Sequence, residues 1–368
     1  MNRYTFLPLI GCLAIVLCNG CSRDRLAEEE EELLPRERDE LVEIRLQSVA
    51  SPLEAGTRAP FVGGIGTSNP LVAKVLLSGE PGKYLEGSTS GYYNGSMTFD
   101  GLTSTKGFST RQYYPADGSN IYLCGLYPAD SRWTNYAGDA TTVDFVFDGK
   151  TDVMVAEQVT TNKVEAKEGT YKELKFRHLL TNVIVLAQVE TEAGVTAQDI
   201  RSAWGRITGV ELLQAREAAP NNRVTVGLSG TEAVPVAPVF SVSGAYGVTF
   251  YNASGANYPV DGASDPFVFK DTPLSVAEGS ATVIPESLEA FAYSMVAPIV
   301  ATGTKDLKLL VKTEENPSGV PVEVGLSKTG STAGQYCLIT LKFKNTTIQA
   351  TASVEDWKEG ASAGGTLE

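Results

Sequence analysis

The chain has one histidine, four methionines, three tryptophans and five cysteines in 368 residues. A single imidazole leaves acid–base and metal chemistry short of the side chain most often used for both. His178 stands in LKFRHLLTNVIVLA, where an apolar, β-branched run reads as a buried strand, so it suits a packed core or turn position rather than a catalytic one. No Cys/His cluster has metal-site spacing. Neither a G-x-S-x-G elbow nor a phosphate-cradling glycine loop occurs. Glu314-Glu315 and Glu355-Asp356 read as solvated turn pairs, and Asp261-Gly-Ala-Ser-Asp265 as a turn rather than a calcium loop. These gaps point away from an enzyme and imply neither cofactor nor metal. Positive charge is short as well. Thirty Lys and Arg against 44 Asp and Glu give a net charge of −14, which repels nucleic-acid phosphates and excludes that partner class.

Long apolar runs are missing beyond the start of the chain. Phe6 to Cys18 (FLPLIGCLAIVLC) follows Arg3 and is too short to cross a bilayer, which takes about 20 apolar residues. It has the length of a signal-peptide core. No A-x-A site follows. Asn19-Gly20-Cys21 stands there instead and resembles the lipobox of bacterial lipoproteins. Leu9-Ile10-Gly11-Cys12 fits the letters better but leaves too short an apolar core before it. The resemblance implies cleavage between Gly20 and Cys21 and acylation of Cys21, hence a lipid-anchored exported protein. Residues 1–20 are then signal and 21–40 a tether. Ser22 to Glu40, with its EEEEE block, cannot bury enough surface to offset ordering entropy. After processing, Cys124 and Cys337 are left as two buried thiols rather than a bridge.

What is present is β-forming. Glycine (36) and tyrosine (15) are plentiful, and Thr and Val are common, which favours strands and turns. Asn120–Tyr127 follows the turn PADG, and Thr142–Phe147 alternates its apolar positions. Residues 181–187 read as the strand closing a first unit. Further strands are expected at 206–213, 223–228, 290–296, 306–311, 335–343 and 347–354, with one helix over 195–204. The expected fold is all-β, with one β-sandwich over 41–190 and another over 191–368.

LVEIRLQSV (41–49) alternates cleanly, Val42, Ile44 and Leu46 on one side and Glu43, Arg45 and Gln47 on the other. Burying the three aliphatics is worth roughly 5–9 kcal/mol at ~1.5–3 each. Removing the strand would leave an open groove, and the arginine-containing connector after it is where a protease could reach.

The chain resembles the fimbrillins of Gram-negative gut and oral anaerobes, subunits of the type V pilus. The resemblance is carried by GTRA (56–59), YYPADG (113–118), TDVMVA (151–156), FRHLL (176–180), and Tyr336 with IQATASVEDWKEG (348–360). It implies two transthyretin-like β-sandwiches and a lipidated precursor. It also implies an Arg-specific protease that removes the first strand, and assembly with other pilin subunits by donor-strand exchange. Arg36 and Arg38 lie in the tether, where cutting would spare the strand. Arg58, before Ala59 in a loop, is the expected cleavage residue, since loop tips are where proteases act. Arg45, before Leu46, is second choice. Ile348, Ala350, Ala352 and Val354 share one face and form a possible donor strand, because Lys358 to Glu368 is poor in large apolar residues. Stalk, tip and anchor positions are all compatible with these features. An alternative role is a glycan-binding surface lipoprotein, with Tyr92, Tyr93, Trp133, Tyr136 and Trp204 as a sugar platform.

Overall fold

Alternating apolar side chains set most of this architecture. In the computed structural model, residues 41–50, 65, 67, 70–84, 93–101, 104–134, 141–147, 149, 151–213, 223–241, 249–252, 283–299, 307–326 and 330–356 are described. The first half holds strands β1 (Arg45–Ala50), β2 (Leu71–Ser78), β3 (Tyr93–Phe99), β4 (Lys106–Gly107), β5 (Ile121–Tyr127), β6 (Trp133–Thr134), β7 (Thr142–Val146), β8 (Met154–Thr161), β9 (Glu173–His178) and β10 (Thr181–Val189). Helix α1 (Lys163–Lys167) precedes β9, and α2 (Ala197–Trp204) follows β10. Then come β11 (Ile207–Leu213), β12 (Arg223–Gly227), β13 (Val239–Ser241), β14 (Thr249–Asn252), β15 (Glu289–Val296), β16 (Leu307–Thr313), β17 (Val320–Val324), β18 (Gln335–Phe343) and β19 (Ile348–Asp356). The all-β class is therefore as the sequence reads.

Three sheets result. The first has seven strands in the order β3-β2-β5-β8-β9-β1-β4, all from the first half of the chain. Its two faces serve different cores. Leu71, Val75, Leu123, Met154 and Ala156 point into one core with Phe99 and Phe176. Leu76, Cys124, Leu126, Val153 and Val155 point the other way, into a core shared with the second half. A sheet buried on both faces reads as nearly continuous apolar sequence, as Leu71–Leu77 does.

The second sheet has eight strands, β17-β16-β11-β14-β15-β10-β18-β19. Strand β10, expected to close the first unit, lies here instead, antiparallel to β15 and parallel to β18. Its composition suits a central strand without naming its neighbours. Val183, Ile184, Val185 and Leu186 are all buried, so the strand needs cover on both faces and partners on both edges. The third sheet, β13-β12-β7-β6, takes two strands from before residue 190 and two from after it.

Helix α2 begins two residues inside its expected start, at a capping box. Thr196 Oγ1 accepts the Asp199 amide, and the Thr196 amide donates to the Asp199 carboxylate at 2.8 Å, which satisfies amides the helix start leaves orphaned. Its Ile200 and Trp204 are buried.

Candidate functional site

Strand β1 has a partner on each edge, β4 beside its first two residues and β9 beside its last four. It runs antiparallel to β4 at Arg45–Gly107 and Leu46–Lys106, and parallel to β9 from Gln47–Glu173 to Ala50–Phe176. Just before it, the Ile44 amide donates to the Gln112 carbonyl at 2.8 Å and the Tyr114 amide donates to the Val42 carbonyl at 3.0 Å. The segment YYPADG, visible in the sequence as a motif, thus supplies part of the wall for this strand.

The alternation read from the sequence holds in register. Ile44 and Leu46 are 0% exposed, and Val42 packs half-buried against the same core. Ser48 continues the row, also fully buried, with no hydrogen-bond partner for its Oγ. The sequence reading stopped at Leu46, although the same period of two would have reached Ser48. Enclosing the two aliphatics is worth roughly 3–6 kcal/mol at ~1.5–3 each. On the outer face Glu43 and Arg45 pair at 2.9 Å. Gly107 lies under Glu43, where an added Cβ would come within 2.7 Å of the carboxylate, so its lack of a side chain makes room for the pair.

Arg45 therefore sits in a doubly paired strand. A protease that binds extended backbone cannot take in the Arg45–Leu46 bond until the strand comes out. Arg58, Ala59, Gly20 and Cys21 lie outside the described residues.

Strand β19 has a different setting. It pairs with β18 along its whole length, from Asp356 opposite Gln335 to Ile348 opposite Phe343, and ends the strand order of its sheet. Ile348, Ala350, Ala352 and Val354 share one face, half-buried against the larger core. Beside them a groove of about 560 Å³ is lined by Val322 and Glu323 of β17 and by Ile348, Gln349, Ala350 and Thr351 of β19.

The remaining sequence candidates are structural. His178 closes β9, and its Nδ1 lies 2.6 Å from Asp152 Oδ2, with both side chains buried. The pair ties the approach to β8 to the end of β9. Among the described residues no group of three or more His, Cys, Asp or Glu is placed to hold a metal. Cys124 and Cys337 are free, buried and part of the same core. Burial pushes the Cys337 thiol up to about 12 and the Cys124 thiol well above its ordinary value.

The aromatic platform is not assembled as the glycan reading requires. Trp133 and Trp204 are 2% and 6% exposed. Their indole N–H groups donate to the Pro128 and Lys344 carbonyls at 2.8 and 2.6 Å. An indole that buries its rings and still satisfies its N–H is a core residue, and spacing in sequence could not reveal that. Tyr93 packs edge-on against Phe108 at 5.1 Å, while Tyr92 and Tyr136 lie outside the described residues, as does Asp261–Asp265.

Comparison with known proteins bears on this geometry. The model of a family described as fimbrillin-like matches residues 80–357. No curated protein matches the chain. Among solved structures, a protein of Bacteroides uniformis provisionally named for cell adhesion is similar at 13% identity, covering 86% of this chain and 98% of that one, with a TM-score of 0.49. A fimbrial protein of Bacteroides vulgatus is similar at 12% identity, covering 85% and 99%, with a TM-score of 0.42. The tip fimbrial protein Mfa3 of Porphyromonas gingivalis is similar at 10% identity, covering 86% and 100%, with a TM-score of 0.33.

Proposed function

The chain belongs to the fimbrillin-like family, a structural role in a cell-surface fimbrium, and from that premise we propose that it is a pilus subunit matured by loss of its first strand. In this reading the precursor is exported, cleaved before Cys21 and acylated there, which anchors it in the outer membrane with residues 21–40 as tether. An Arg-specific protease then cuts between Arg58 and Ala59. Lipid, tether and β1 leave together, and the groove takes an extended strand from another pilin subunit, a form of strand addition.

The observation that carries the proposal is the enclosure of Ile44 and Leu46 in a strand paired on both edges at the start of the described residues. Such a strand leaves a groove rather than a flat surface, with apolar walls and two sets of unpaired backbone groups. The position of Arg58 past Ala50, the last residue of β1, supports it as the cut that removes the strand whole. Cutting at Arg45 would divide the strand instead. The place of β19 at a sheet end supports its availability as a donor, since its departure breaks one ladder rather than two.

The test is brief digestion of residues 22–368 with an Arg-specific protease, read by intact mass and particle size. A folded product beginning at Ala59, with residues 22–58 removed, is expected. A folded protein that resists cutting, or loses only the part before Leu41, would defeat the strand-removal mechanism.

A further inference from the structure

We infer that the groove under β1 is shaped for a strand with two large aliphatic residues at successive same-face positions and a small residue at the next, and so for a subunit other than a donor of this chain's own β19. The inference rests on the strand-removal reading above and names the kind of partner it requires.

The shape comes from what β1 buries. Ile44 and Leu46 are each 0% exposed, so both positions are enclosed by core rather than rimmed by solvent. The next inward position holds Ser48, small and fully buried. An incoming strand must also pair on both edges, with Lys106–Gly107 on one side and Glu173–Phe176 on the other. A strand that must pair on both edges has its register fixed by which side chains fit.

Strand β19 does not supply the pair. Its core-facing row is Ile348, Ala350, Ala352 and Val354, and the same period of two runs on in sequence to Thr346 before it and Asp356 after it. Every two successive members of that row, in either chain direction, include an alanine, a threonine or an aspartate. The opposite row, Gln349, Thr351, Ser353 and Glu355, is polar throughout. In every register, then, at least one of the two enclosed sites receives a residue too small or too polar for it. An enclosed site left short of methylene groups holds a cavity, and the lost contacts weaken binding. The large pair does occur in β18 as Ile339 and Leu341. That strand is held by β10 on one edge and β19 on the other, with both residues fully buried, so it is not free to donate. Joints between like copies of this chain through β19 are thereby disfavoured. The partner is a different subunit whose free strand reads large-x-large-x-small.

The experiment uses residues 22–368 with a site-specific protease sequence inserted between Ala55 and Gly56. After cutting, the released first strand is exchanged against fluorescent peptides. One peptide carries this chain's residues 40–50, a second residues 346–356, and a third the second sequence with Ala350→Ile, Ala352→Leu and Val354→Ser. Bound fluorescence on native gels and anisotropy titrations give relative affinities. The first and third peptides are expected to bind at least ten times more tightly than the second. Equal binding of the second and first, or no gain in the third over the second, overturns the inference while leaving the groove intact. Exclusion of all three, the chain's own strand included, overturns the strand-removal reading and this inference with it.

Discussion

Replacing Leu46 by alanine should cost about 2–5 kcal/mol of unfolding free energy, the range for emptying a well-packed leucine site. Replacing its neighbour Arg45 by alanine should cost under ~1 kcal/mol, because a solvated ion pair is worth little. The two residues are adjacent in one strand and pair with adjacent residues of β4. They differ in face: Leu46 is 0% exposed, whereas the Arg45 side chain is 49% exposed and pairs with Glu43 at 2.9 Å. Comparing the two variants therefore cancels most main-chain effects and isolates the packing of the inward row. Urea denaturation followed by tryptophan fluorescence gives both free energies. In the nicked protein the same loss passes into strand retention, at tenfold per 1.4 kcal/mol, so Leu46→Ala should weaken retention roughly 30- to 4,000-fold. Small effects from both substitutions would refute the packing of β1 described above. Large effects from both would mean that the main chain, not the face, carries the strand.

Other outcomes follow from single contacts. Ser48→Ala should be neutral or stabilising by up to ~1 kcal/mol, since it removes a buried hydroxyl without a partner; a chemical melt decides its sign. Gly125→Ala should destabilise by about 1–3 kcal/mol through overpacking, because the new Cβ would sit 2.5 Å from the Phe176 ring. The same melt with Phe176→Leu added should recover part of that loss. Neither Cys124 nor Cys337 should react with a thiol reagent at pH 8 until the protein unfolds, as burial raises both thiols. A folded-state thiol raised above the unfolded value of 9.0 keeps its proton while the unfolded chain ionises. The Cys337 contribution is thus whole below pH 9.0 and declines from there toward about 12, and Cys337→Ala should flatten that decline in alkaline melts.

Local pattern carried much of the fold. The row Cys337, Ile339, Leu341, Phe343 makes β18 legible because a period of two sends alternate side chains to one face, and all four are fully buried. Helix α2 was legible from the helical period over 195–204, but its capping box at Thr196 was not. Nor was pairing. β10 reads as a buried strand from its letters, yet no letter says that its neighbours are β15 and β18 rather than β9. Trp133 and Trp204 failed in the same way, since a tryptophan looks alike in sequence whether its ring meets sugar or a core.

By itself the sequence determined that β1 is an amphipathic strand behind an acidic segment and that the motifs are those of a fimbrillin. Those properties lie in side-chain type and spacing over a few residues, where physics is local. Only the tertiary structure decided that Ile44, Leu46 and Ser48 fill an enclosed row between β9 and β4 while β19 stands at the end of its sheet. Burial and edge exposure depend on what segments far along the chain pack against, and alternation alone does not encode that.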